Sequence, residues 1–126
     1  MAYEEILTSI TRTASGTIAQ YTAVAIGGTD AAPTCTNPAG ETDPLIIGVA
    51  QNGAASGEEV TIAVAGITKM VAGETFATHG LKVGASSNGK AAIPASTEVV
   101  IGINMTDGAV DKYMSVLLGR TNAPLA

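Results

Sequence analysis

Ile47-Gly-Val-Ala-Gln-Asn-Gly53, leading into Glu59-Val-Thr-Ile-Ala-Val-Ala-Gly66, is answered further on by Ile101-Gly-Ile-Asn-Met-Thr-Asp-Gly108, leading into Lys112-Tyr-Met-Ser-Val-Leu-Leu-Gly119. Both stretches read as strand, polar turn, strand. A second shared phrase precedes each copy: Ile18-Ala-Gln-Tyr-Thr-Ala-Val-Ala-Ile26 before the first and Phe76-Ala-Thr-His-Gly-Leu-Lys-Val-Gly84 before the second, an alignment that sets His79 opposite Tyr21. The chain therefore reads as a degenerate internal duplication of a β-unit. Val60, Ile62 and Val64 alternate with Thr61, Ala63 and Ala65, the period of a half-buried strand, and Met114, Val116 and Leu118 take the inward role in the second copy.

Outward from this repeat, strand-like stretches are expected over 18–26, 45–50, 59–65, 67–71, 81–83, 99–104 and 112–118, separated at short intervals by Gly, Asn, Asp and Ser. That spacing predicts an all-β protein, a compact small barrel or sandwich, rather than β-α-β units. Gly66 interrupts an apolar run, so a bulge or bend is expected there. Pro94 argues against a helix over 91–98. The segment from Gly27 to Pro44, rich in Gly, Asp and Pro, reads as a long exposed loop suited to partner contact. Residues 1–17 read as an extended N-terminal arm ahead of a single β domain over 18–126, with Ser15-Gly16 as the break.

Composition narrows the function. The 126 residues fit one domain, built on Ala, Val, Ile and Leu because aromatics are only 3% and Trp is absent. Charged residues make up 13%, against roughly 25% in ordinary soluble domains, which points to a surface sheltered by other subunits. The net charge of −5 and the scattered Arg12, Lys69, Lys82, Lys90, Lys112 and Arg120 argue against nucleic-acid binding. The acidic start, Met-Ala-Tyr-Glu-Glu, is unlike a secretory signal, and the apolar runs are too short to span a bilayer, so no membrane partner is expected. Cys35 stands alone and is expected to be a buried or idle thiol.

No catalytic constellation emerges. Gly84-Ala-Ser-Ser-Asn-Gly89 misses the nucleophile elbow because its closing Gly falls one residue late, and His79 is the only imidazole. Glu58-Glu59 and Asp107 with Asp111 do not have the spacing of a calcium loop, and no phosphate-binding Gly-rich loop occurs. Asn104-Met-Thr106 fits the glycosylation sequon without a secretory context. The expectation is a protein with no enzymatic activity, no cofactor and no metal.

The phrases Ile47-Gly-Val-Ala, Gly57-Glu-Glu-Val-Thr-Ile-Ala-Val-Ala-Gly-Ile-Thr-Lys69, Gly80-Leu-Lys-Val, Asn88-Gly-Lys-Ala and Val100-Ile-Gly-Ile, in that order, resemble the capsid cement or head decoration proteins of tailed bacteriophages. The resemblance covers about residues 18–119. It implies a compact β-fold, commonly a homotrimer, that clamps neighbouring major capsid proteins on the outer surface of the head after synthesis in the bacterial cytoplasm. On this reading the N-terminal arm adds a strand to a capsid sheet edge, with Tyr3, Ile6, Leu7, Ile10 and Arg12 as contacts, and deleting residues 1–13 leaves the fold intact. A host-glycan or receptor-binding β module on the virion is the competing class.

Overall fold

The computed structural model describes residue 2, residues 4–95 and residues 98–119. These residues form nine strands: β1 (Glu5–Ala14), β2 (Ala23–Gly28), β3 (Pro33–Thr36), β4 (Ile46–Ala50), β5 (Glu59–Val71), β6 (Lys82–Ala85), β7 (Ala91–Ala92), β8 (Gly102–Asn104) and β9 (Tyr113–Leu118). The sheet runs β1-β3-β2-β4-β5-β9-β8-β6-β7, and an added β1–β5 pairing closes the first five strands into a barrel. The protein is all-β, a barrel with further strands wound on from it.

Hydrogen-bond register shows the duplication strand by strand. The antiparallel β1–β5 pairing sets Ser9, Ile10, Thr11, Arg12 and Thr13 opposite Ala63, Ile62, Thr61, Val60 and Glu59. The β5–β9 pairing repeats it with Ile67, Thr68, Lys69, Met70 and Val71 opposite Leu117, Val116, Ser115, Met114 and Tyr113. Ala23↔Val49 and Val24↔Gly48 between β2 and β4 return as Lys82↔Ile103 and Val83↔Gly102 between β6 and β8. Ala25↔Thr36 and Ile26↔Cys35 return as Gly84↔Ala92 and Ala85↔Ala91. The parallel contact Ala14↔Cys35 that helps close the first barrel has its twin in the parallel bridge Ala72↔Ala91, and the bridge Ile18↔Ala54 has its twin in Phe76↔Gly108. β5 is therefore shared: its first half completes the first unit, and its second half plays in the second unit the part β1 plays in the first.

Two cores follow from the two units. Ala14, Ile18, Val24, Cys35, Ala50, Ala54, Val60 and Ile62 fill the first barrel. Met70, Ala72, Phe76, Val83, Ala85, Ala91, Ile101, Met114 and Val116 fill the second unit, where Ala23, Ala25, Ile46 and Val49 join them from the outer face of the first. Side-chain volume is exchanged between equivalent positions. Ile18, Ala54 and Val60 in one unit become Phe76, Gly108 and Met114 in the other, and a Cβ on Gly108 would meet the Met114 sulfur at 2.6 Å. Val60, Ile62 and Met114, Val116 face inward as their period predicts, with Val64 and Leu118 packed against the same cores.

Several local expectations are corrected. Residues 5–14 are extended, but their backbone pairs with β5 and β3 of the same chain, so deleting residues 1–13 would remove a barrel strand rather than a free arm. The segment 27–44 holds β3, which Pro33 can open because a strand's first residue needs no ladder N–H. The bulge expected at Gly66 is present within a continuous β5: the register with β1 shifts twice there, leaving Leu7 unpaired opposite Gly66 and Ala65, and Val64 unpaired opposite Thr8 and Ser9. Gly66 has φ +98°, and a Cβ there would meet the Glu5 carbonyl at 2.4 Å, so the residue is needed for close approach. Tyr21 corresponds to Gly80 rather than to His79: Tyr21 N–H donates to Ala50 O as Gly80 N–H donates to Asn104 O, and both residues have positive φ. One extra residue in the second copy shifts the alignment.

Candidate binding surface

Of the residues proposed from sequence as contacts, Tyr3 lies outside the described residues. The other four lie on β1. Ile6 and Leu7 are exposed, Leu7 at 81%, and Leu7 sits at the register irregularity, where a bulge turns a side chain out of the sheet. Ile10 packs against the first core, and Arg12 is half-buried with its Nη1 donating to the Thr11 carbonyl at 2.8 Å. Among the described residues β1 has no strand on its second edge upstream of Thr13, so Glu5 to Arg12 present an open edge that carries no charged side chain from Ile6 to Thr11.

Beside the end of this edge lie two adjoining hollows of about 390 and 480 Å³ that share Arg12, Pro33 and Thr34, one reaching Glu59 and the other Ile26 and Leu45. Sequence reasoning did not single out Ile26 or Leu45. The usable signal was the comparison of the copies, which puts Ala85 and Val99 at the corresponding places.

Reactive groups are not gathered. Among the described residues no three His, Cys, Asp or Glu side chains are placed to hold a metal ion. His79 is exposed in a turn. The Cys35 thiol is buried, and that burial raises its pKa against a smaller lowering by Arg12. Glu41 is raised by its hydrogen bond with Glu98, then by partial burial and the charges of Glu98 and Glu74. Tyr21 is raised by burial and by Glu4; its ring meets Tyr113 edge-on at 5.2 Å, with Lys69 Nζ 5.9 Å from its centroid. The sequon is closed by structure: Asn104 is buried, its Nδ2 donates to the Thr78 and Thr106 carbonyls, and its Oδ1 accepts from Leu81 N–H. No helix of the described residues is long and apolar enough to cross a membrane.

The sequence profile of the phage cement protein family matches residues 4–118. The chain belongs to that family. No curated protein matches it. Its fold is similar to a solved structure, the head fiber gp8.5 N base of bacteriophage phi29, with a TM-score of 0.72 and 17% identity over 94% of this chain and 98% of that one. A phage cement protein is a structural protein of the virion that binds the phage capsid, and this chain carries that role on a five-stranded β-barrel with further strands wound on from it.

Proposed function

We propose that this cement protein sits as a homotrimer on the outer surface of the head and braces adjacent major capsid proteins, without catalysing any reaction. The observation that carries the reading is the open outer edge of β1, uncharged from Ile6 to Thr11, with Leu7 standing out of it at 81% exposure. Such an edge offers backbone N–H and C=O groups to an extended segment of a capsid subunit, while Ile6 and Leu7 supply apolar grip. This reverses the expected mechanism: β1 stays in its own barrel and receives a strand instead of leaving to donate one. Three edges in one trimer would engage several capsid subunits together, so modest contacts combine through effective concentration. A net charge of −5 suits an outer position, away from packaged DNA. Synthesis in the bacterial cytoplasm is part of the proposal and agrees with the lone, buried Cys35.

The experiment is occupancy on purified undecorated heads. Leu7→Glu, at a position that contributes little burial, should leave folding unchanged and reduce head binding at least tenfold. Full occupancy by that variant would remove β1 from the mechanism, and selective retention on a glycan panel in place of heads would favour the receptor-binding alternative.

A further inference from the structure

The duplication exposes a mismatch between two equivalent faces. In the first unit the row Ala23, Val49 and Ala63, aligned across β2, β4 and β5, is fully buried; Ala23 and Val49 lie in the core of the second unit. The equivalent row of the second unit is Lys82, Ile103 and Leu117, across β6, β8 and β9. Among the described residues nothing buries this row: Ile103 is 38% and Leu117 39% exposed, and Ile67 extends the apolar stripe across β5.

The receiving side shows the same mismatch. The first unit's outer face enters the second beside Met70, Ala85 and Val99, all buried there, and is fixed by Ala23 N–H donating to Gly89 O and Val71 N–H donating to Tyr21 O. In the first unit those places are held by Arg12, Ile26 and Leu45, with Pro33 in the place of Gly89. They line the two hollows, with Ile26 40% and Leu45 49% exposed. Among the described residues one unit thus has a plugged mouth and the other an open one.

We infer that the Ile103–Leu117 face of one copy docks into the Arg12–Ile26–Leu45 mouth of a second copy of this chain, repeating between molecules the packing that joins the two units within one. Charge supports this occupant. The plugging face brings Lys82 where the first unit has Ala23, and the hollows it would enter carry two acids, Glu59 and Asp30, against the one cation Arg12. The contact is heterologous, using different surfaces on the two copies, so it generates a ring if the rotation closes. The proposed homotrimer supplies only the expected number of copies in that ring. The contact itself is independent of capsid attachment and leaves the open edge of β1 between Ile6 and Ile10 free.

The test uses the isolated full-length protein, so its outcome is separate from head binding. Light scattering should show a closed oligomer, and Ile103→Asp, at an exposed position, should convert it to a monomer with an unchanged far-ultraviolet β spectrum. Lys82→Cys combined with Pro33→Cys, the positions equivalent to the bonded Ala23 and Gly89, should give a ladder of disulfide-linked chains under a copper–phenanthroline oxidant, and either single variant should not. A parent protein that is monomeric, an oligomer that Ile103→Asp leaves intact, or a double-cysteine variant that yields no species above monomer would each overturn the inference.

Discussion

Replacing Gly102 with alanine measures how closely the second unit's strands approach. A Cβ at Gly102 would stand 2.2 Å from the Leu117 carbonyl oxygen and 3.0 Å from its carbon, both backbone atoms of β9, so no rotamer change can relieve the overlap. The strands must part, and β8 has only three residues with which to hold its place between β6 and β9. Overpacking of this kind costs about 1–3 kcal/mol. A weakened ladder bond adds about 1 kcal/mol. The expected destabilisation is thus about 3 kcal/mol, and at a few degrees per kcal/mol for a domain of this size the melting temperature should fall by roughly 10 °C. Gly48, the equivalent residue, would meet the Ala63 carbonyl at 2.1 Å, and its alanine variant should lose a similar amount. Gly40 is the control: nothing lies within 4 Å of its added Cβ and its φ is not positive, so Gly40→Ala should change stability by less than about 0.5 kcal/mol. Thermal unfolding followed by circular dichroism reads all three. A Gly102→Ala protein melting within about 2 °C of the parent would refute the argument that these glycines are required by close backbone approach.

Two further outcomes follow from the titrating groups. The carboxyl of Glu41 is raised above its ordinary 4.5, first by its hydrogen bond with Glu98, so the folded state binds more protons than the unfolded one; this contribution is full below the ordinary value and fades as pH rises through the raised one. Both side chains are only half-buried, so solvent keeps the effect small. Glu41→Gln should flatten the loss of urea stability on going from about pH 4.5 to neutrality, and an unchanged slope would show that the Glu41 carboxyl is not raised by folding. Burial raises the Cys35 thiol, so a disulfide reagent at pH 8 should modify it at the rate of global unfolding and not at that of a free thiol; rapid modification of the native protein would contradict a closed first core.

What could be read in the sequence was what period and glycine placement encode. Alternating Val60, Ile62 and Val64 and their partners Met114, Val116 and Leu118 declare an inward face, and the paired Ile-Gly phrases mark where strands approach closely. Strand partnership was harder to read. Glu5 to Ala14 is rich in Thr and Ser, with nothing local to say whether its backbone bonds are made within the chain or outside it. β3 was hidden because Pro33 and four residues are too short a pattern to stand out in a turn-rich segment. The Tyr21 and Gly80 correspondence depends on backbone φ, which letters do not show when one copy uses glycine and the other tyrosine. Of the candidate surface, Leu7 and Arg12 were visible as residues, but the hollow with Ile26 and Leu45 arises only when β2 and β4 come together.

The sharing of β5 between both units has a consequence for biogenesis. β1 cannot find its main partner until residues 59–67 have been synthesised, because that ladder runs from Glu59 to Ile67; before then only Thr13 and Ala14 have a partner strand, in β3. Most of β1 must therefore wait through the translation of three intervening strands, and its main pairing is a long-range closure of the kind that slows folding. The three threonines and one serine of β1, with Glu4, Glu5 and Arg12 beside them, suit a segment that must stay soluble until its mate is made.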